Sequence, residues 1–331
     1  MTLRQYHDNR ETGSSTSPVL LVVFNRPDCT TRLMSQIAQA KPARLYVAAD
    51  GPRSKDEREL CRTVRQIASA VSWDCEVKTL FREENVGCKL GVSGAIDWFF
   101  ANEGKGIVLE DDCIPSQSFF RFCDELLVRY ENDERIGAIA GSSFVKSASM
   151  PESYYFSRYP FIWGWATWAR AWRKYDIEMK AWPRLRQTDF LSKIGRSSPG
   201  FKTYWTDIFD RCYNGDIPTW DYQWCLSFWR QRYSACVPGE NLVQNIGFDG
   251  GGAHQQSYNE FSHGRIAHDL TFPIIHPSSF EQRTDLDKAV DKLTFVRRRA
   301  LQLFVQKRIP LGGLAWNLAR DAFRKVSPIS Q

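Results

Sequence analysis

The chain has 331 residues, enough for one large α/β domain with additions or for two ordinary domains. Hydrophobic residues make up 43% and charged residues 25%, which excludes a mainly disordered chain, a collagen-like repeat and a polytopic membrane protein. The net charge of +6 is unevenly spread: residues 288–331 carry ten Lys/Arg against two Asp, a net of +8, so the first 287 residues together carry −2.

A nucleic-acid enzyme is expected to spread its positive charge over a groove in its body, so no nucleic-acid partner is expected. A basic tail suits an anionic membrane surface or is a solvated face. The longest unbroken apolar run, Val19–Phe24, is far shorter than the roughly 20 residues of a membrane helix. The polar residues 1–17 read as a disordered leader with no signal peptide, and a cytoplasmic protein is expected. Nine cysteines without a Cys-x-x-Cys pair fit reduced thiols.

After the leader a regular alternation begins. Val19–Phe24 is a predicted strand, and Asp28 is placed to cap a helix reaching about Gln39. Arg44–Ala49 is the second strand, broken by Asp50-Gly51-Pro52 before a helix that opens at Ser54. Cys75–Leu80 is the third, followed by a helix from about Leu90 to Ala101. Gly106–Leu109 is the fourth, followed by a helix capped by Ser116, and Ile136–Ala140 is the fifth. Such alternation predicts an α/β fold with a mainly parallel sheet covered on both faces. Ligands then bind beyond the carboxyl ends of the strands. The polar residues found there are Asn25 and Arg26, Asp50, Arg82 with Asn85, and Glu110 to Asp112. From about residue 150 Trp-rich helices and loops are expected, with a helix over Trp220–Arg232 and a strand near Tyr233–Val237. Two basic amphipathic helices, Phe295–Val305 and Leu311–Val326, follow. The resulting division is a leader (1–17), a nucleotide-binding half (18–145), an acceptor and catalytic half (146–284) and a basic helical tail (285–331).

Three groups of residues are candidates for chemistry. Glu110-Asp111-Asp112 ends an apolar strand, where mutual repulsion calls for a compensating cation. Strand alternation turns Glu110 and Asp112 one way and Asp111 the other. Hard oxygen ligands beside phosphates suit Mg²⁺ or Mn²⁺; the plainer reading is an acidic flank for the following helix. Asp221 stands among aromatics in Trp220-Asp-Tyr-Gln-Trp224 and suits a general base or a helix cap. His254 follows a glycine-rich loop and suits a closing contact, or no role at all. Nine of the twelve tryptophans fall between Trp163 and Trp229, either as core or as a wall for sugar rings. No Gly-x-Gly-x-x-Gly, P-loop or Gly-x-Ser-x-Gly motif is present.

At these residues the chain resembles inverting GT-A glycosyltransferases of the N-acetylglucosaminyltransferase I type and their bacterial relatives, the nucleotide-diphospho-sugar transferases. The resemblance covers roughly residues 18–256. It rests on Leu109-Glu-Asp-Asp112, Phe161-Ile-Trp-Gly-Trp-Ala-Thr-Trp168, Trp220-Asp-Tyr-Gln-Trp224, Asn245-Ile-Gly-Phe248 and Ala253-His254. It implies a GT-A, Rossmann-like sheet and a sugar moved from a nucleoside-diphosphate sugar, with UDP the favoured carrier, to an acceptor hydroxyl. The acceptor-binding part carries over no acceptor from the family; a glycan or lipid-linked acceptor in bacterial surface glycan synthesis is expected. By the same resemblance Asp112 ligates Mn²⁺ or Mg²⁺, Glu110 and Asp111 lie near ribose, sugar and waters, and Asp221 is the catalytic base. Phe24, Asn25, Arg26, Asp50, Lys89, Ser93 and His254 fall to the donor, and Trp163, Gly164 and Trp165 to the donor-sugar and acceptor side. The Trp220–Trp224 motif is one residue longer than the Trp-Asp-Asp-Trp of the family's eukaryotic members. The competing readings are a sugar-nucleotide nucleotidyltransferase, a glycosidase and a non-catalytic glycan-binding module. The basic tail is expected to lie on the inner face of the membrane or to pack on the body.

Overall fold

A computed structural model of the chain describes residues 15–145, 150–196, 198–247 and 265–293. The alternation of short apolar strands and amphipathic helices folds as read. Strands β1 (Val19–Val23), β2 (Arg44–Ala49), β3 (Glu76–Phe81) and β4 (Lys105–Glu110) form a parallel block in the order β3-β2-β1-β4. Helices α1 (Pro27–Ala40), α2 (Arg58–Ser69) and α3 (Gly87–Asn102) connect them.

The strands alternate between two cores, as a sheet buried on both faces requires. Val19, Leu21, Val23, Leu45, Val47, Ile107 and Leu109 face a core shared with α1, α2 and α4 (Gln117–Arg129). Leu20, Tyr46 and Val108 face the opposite core, which holds α3 and the Trp-rich residues. Helix α1 starts with Pro27 in its first turn, with Arg26 rather than Asp28 at the cap position. It buries Thr30, Leu33, Met34, Ile37 and Ala40, the one-sided spacing of a surface helix.

Beyond β4 the sheet continues as β8 (Trp165–Trp168), β6 (Ile136–Ala140), β9 (Ser234–Pro238) and β7 (Tyr154–Ser157), making eight strands. Strand β8 is antiparallel to both β4 and β6, and β7 is antiparallel to β9. The helix-and-loop reading of the region after residue 150 is thus corrected: two of its apolar stretches are strands. Trp165-Ala-Thr-Trp168 carries β-branched and aromatic residues suited to a sheet slot beside β4. Helices α5 (Ala169–Trp172), α6 (Trp182–Leu185), α7 (Phe190–Gly195), α8 (Phe201–Tyr213) and α9 (Asp221–Arg230) fill out the second core. A separate ribbon pairs β5 (Cys113–Pro115) with β10 (Val243–Asn245).

Both ends of the described chain are tied to the body by buried carboxylates. Asp124 on α4 accepts hydrogen bonds from the Thr16 and Ser17 amides, each at 2.9 Å, and from the Ser15 hydroxyl at 3.3 Å. Ser15, Thr16 and Ser17, assigned to the leader by their polarity, thus serve a buried acid and belong to the packed body; residues 1–14 lie outside the described residues. At the other end α10 (Thr284–Asp291) places Asp287 and Asp291 inward. The Ser157 hydroxyl donates to Asp287 at 2.5 Å, and the Arg158 guanidinium and Tyr159 hydroxyl both bond Asp291. Residues 285–291, assigned to the tail by charge, thus belong to the packed domain. The remaining tail, 294–331, lies outside the described residues. Among the described residues no helix is long and apolar enough to cross a membrane.

Candidate active site

The carboxyl ends of β1, β2, β3 and β4 open onto one cavity of about 550 Å³, within the roughly 300–1,000 Å³ usual for small-molecule sites. Phe24, Asn25 and Arg26 follow β1, Asp50 follows β2, Arg82 follows β3, and Glu110, Asp111 and Asp112 close β4. The far wall is Trp163 with Thr219, Trp220 and Asp221.

The acid triplet does not alternate as a strand would. Strand β4 ends at Glu110 and the chain turns at Asp111 and Asp112, so one guanidinium reaches both. Arg26 bonds Asp111 and lies 3.0 Å from Asp112 Oδ2. Burial opposes the charge of Arg26, but the two carboxylates more than offset it and its pKa is raised. Asp111 is 3% exposed, and burial pushes its pKa up to about 6 although Arg26 pulls the other way. Glu110 makes no side-chain hydrogen bond or ion pair among the described residues. Burial, followed by repulsion from Asp112, Asp111 and Asp221, raises its pKa well above the usual carboxylate range. One arginine thus supplies part of the compensating charge, and Glu110 and the half-buried Asp112 face the cavity without enough of it.

Asp112 is held from behind. The Ile246 amide donates to its carbonyl at 2.8 Å, and β10 brings Gly247 against its carboxylate. A Cβ at Gly247 would overlap Asp112 Oδ2, so any larger residue there must push the Asp112 carboxylate out of its place. Among the described residues no cluster of three His, Cys, Asp or Glu side chains could hold a metal ion by itself. Hard carboxylate oxygens at Asp112 and Glu110 still suit Mg²⁺ or Mn²⁺, which are commonly held by one or two carboxylates together with substrate phosphates.

Asp221 is the first residue of α9. Its Oδ1 accepts the Thr219 hydroxyl at 2.5 Å and the Tyr222 amide at 2.9 Å. The helix-cap and site readings of this residue therefore coexist: the carboxylate fastens the start of α9 and also lines the cavity. Asp50 has a similar double placement. It accepts amide hydrogens from Gly51, Val86 and Gly87 at 3.0–3.1 Å and so fixes the start of α3.

The tryptophans separate into core and wall. Eight of the nine between Trp163 and Trp229 are no more than 4% exposed. Trp165 stacks on Trp220 with ring centroids 5.9 Å apart, and Trp172 lies between them and Tyr175. Trp163 alone of the nine is half-buried, and it lines the cavity beside Trp220. Core packing thus explains the tryptophan excess, with one or two rings left to face a ligand.

Other expected site residues stand apart from the cavity. Trp165 is buried; Gly164 makes the left-handed turn into β8, its carbonyl accepting the Gly141 amide at 2.7 Å. Ser93 is 2% exposed, with its hydroxyl donated to the Lys89 carbonyl at 2.6 Å. Lys89 is half-buried next to the cavity-lining Cys88 but is not itself in the wall. His254 lies outside the described residues. The sequence reading missed Arg53, Cys88, Thr219, Asn245 and Gly247, all cavity-lining. Arg53 sits over the Phe24 ring at 5.0 Å and pairs with Glu57, which also accepts the Asn25 amide at 3.1 Å. Cys88 is exposed at the cavity mouth, but desolvation of its thiol and then the carboxylates of Glu110, Asp221, Asp112 and Asp50 push it up to about 12. A charged residue soon after the Asp50-Gly51-Pro52 break was the available signal for Arg53, and the Asn245-Ile-Gly-Phe248 motif was the signal for Asn245 and Gly247, to which no site role was given; no local signal marks Cys88 or Thr219.

No protein-family model matches the chain, and no curated protein sequence matches it. Among solved structures it is similar to the 4-diphosphocytidyl-2C-methyl-D-erythritol synthase of Anaerococcus prevotii, at 6% identity and a TM-score of 0.27. That similarity covers 56% of this chain and 84% of the other.

Proposed function

We propose that the chain is a metal-dependent glycosyltransferase that moves a sugar from a nucleoside-diphosphate sugar to an acceptor hydroxyl with inversion. The observation that carries this reading is the meeting of two acidic groups across one cavity. The Glu110–Asp112 cluster with Arg26 stands at the strand ends, and Asp221 stands at the start of a helix on the opposite wall.

In this reading the nucleoside lies toward Phe24, Arg53 and Asp50, and the diphosphate toward Arg26 and Asp112. Mn²⁺ or Mg²⁺ held by Asp112 would neutralise charge on the departing diphosphate. Arg26 adds a fixed positive charge at the same place. Asp221, fastened through one oxygen by Thr219 and Tyr222, takes the proton of the attacking hydroxyl, a contribution typically of ~10²–10⁴ in rate. Trp163 offers an aromatic face to the sugar.

The test is release of nucleoside diphosphate from a panel of sugar nucleotides, with Mn²⁺ or with chelator, in wild type and Asp221→Asn. The expected result is metal-dependent release that falls about 10²-fold or more in the variant while donor binding is kept. Pyrophosphate release from a nucleoside triphosphate and a sugar phosphate would instead indicate nucleotidyl transfer.

A further inference from the structure

Among the described residues the cavity wall carries three cations, Arg26, Arg53 and Arg82. Arg26 is engaged by Asp111 and Asp112, and Arg53 by Glu57. Arg82 has no carboxylate partner among the described residues; its guanidinium bonds a helix carbonyl instead. Glu83 and Glu84, next along the chain, are exposed and outside the wall.

The backbone fixes where Arg82 stands. Its amide donates to the Ala49 carbonyl at 3.0 Å. Its carbonyl accepts the Arg65 guanidinium, which also reaches the Asp50 carbonyl at 3.3 Å, so the ends of β2 and β3 are tied together. The side chain lies on α3: Nη1 donates to the Gly91 carbonyl at 3.3 Å, and a Cβ at Gly94 would stand 2.8 Å from Nη2. Glycine at 94 leaves room for the guanidinium on the helix surface, where it is half-buried in the cavity wall.

The sheet order sets what reaches it. Strands in β3-β2-β1-β4 lie about 4.8 Å apart, so the β3 end is roughly 10 Å from the β1 end that carries Arg26 and roughly 14 Å from the β4 end that carries Asp112. A nucleotide with its diphosphate at Arg26 and Asp112 and its nucleoside running toward Asp50 therefore brings its base to Arg82. Asp50 stands between, but its carboxylate is already occupied: its two oxygens accept the Gly51, Val86 and Gly87 amides in four contacts of 3.0–3.1 Å. Those contacts fill the roughly four acceptor positions of a carboxylate. Asn85 is held as well, its Nδ2 donating to the Gly51 carbonyl at 2.8 Å. A guanidinium only donates, so it pairs with the carbonyl oxygens of uracil and guanine and meets the amino groups of cytosine and adenine donor to donor.

Resting on the glycosyl-transfer reading above, we propose that Arg82, and not Asp50, selects the base of the donor, and that it selects a base with a carbonyl edge, uracil or guanine, over the amino-bearing cytosine and adenine. Asp50 then acts as a positioning residue that fixes the start of α3, the helix on which Arg82 rests.

Calorimetry on the full chain with Mn²⁺ tests this with UDP, GDP, CDP and ADP. UDP or GDP is expected to bind about tenfold or more tightly than both CDP and ADP. Arg82→Met and Arg82→Gln should each remove most of that preference, and Arg82→Lys should keep part of it. Comparing bases within each variant removes any general loss of folding. The assignment is overturned if the four bind alike, or if the preference survives in both the Met and Gln variants. Tighter binding of CDP or ADP would also overturn it and turn the base toward the Asn85 carbonyl. An equal loss for all four in the Arg82 variants would overturn it and assign Arg82 to the phosphates. Binding that keeps the base preference but ignores Mn²⁺ and Asp112→Ala would count against glycosyl transfer and leave the base assignment standing. No binding of any of the four would overturn both.

Discussion

Replacing Arg26 with Met removes the guanidinium that pairs with Asp111, whose side chain is 4% exposed. Breaking one side of a buried ion pair costs about 3–5 kcal/mol when the remaining charge stays charged. Asp111 has a way out, because its pKa is already about 6 with Arg26 present. Without Arg26 it rises further, and the carboxyl takes up a proton instead of remaining a bare charge. The sign follows from linkage: a carboxyl whose pKa is higher folded than unfolded stabilises the fold at low pH and loses that contribution as pH rises through the folded value. In wild type that loss falls between about pH 4 and 6; in Arg26→Met it continues to higher pH. The variant should therefore lose about 3 kcal/mol at pH 8 but only about 1 kcal/mol at pH 5. Urea unfolding at the two pH values measures this, and Arg26→Met/Asp111→Asn should recover most of the loss at pH 8. Equal losses at both pH values would refute the electrostatic role and leave Arg26 as a packing residue.

Gly247→Ala should lower affinity for Mn²⁺ with a nucleoside diphosphate by tenfold or more in calorimetry, because its Cβ displaces the Asp112 carboxylate. Asp291→Ala should cost about 3–5 kcal/mol in urea unfolding by stranding the 4%-exposed Arg158. Burial raises Asp287 from 3.8 to about 6, so Asp287→Asn should be more stable than wild type at pH 8, by up to about 3 kcal/mol, and lose that advantage near pH 4.

Much of this arrangement was legible in the sequence for a physical reason. The residues after each parallel strand must stand at one edge of the sheet, so Asn25, Arg26, Asp50 and Glu110–Asp112 could be grouped before any coordinates. Periodicity says little about where a strand stops. The turn at Asp111 therefore escaped the alternation rule, and with it the shared contact to Arg26. Strand β8 was hidden because the four residues Trp165–Trp168 are too few to show a period that separates a central strand from a helix start, even with Gly164 turning the chain just before them. Charge alone misplaced the tail boundary: Asp287 and Asp291 look like ordinary surface acids until Arg158, some 130 residues earlier, is brought beneath them. Gly247 became meaningful only when β10 paired with β5 and set it against Asp112.

The most direct measurement is calorimetric titration of nucleoside diphosphates, UDP first, into wild type and Asp112→Ala with Mn²⁺ and with chelator. A specific ligand at about 100 times its Kd should also raise stability by about 2.7 kcal/mol. The expected result is binding by wild type that requires Mn²⁺ and is lost in Asp112→Ala. Binding that is indifferent to chelator and to the substitution, or no binding of any nucleoside diphosphate, would contradict the proposed site.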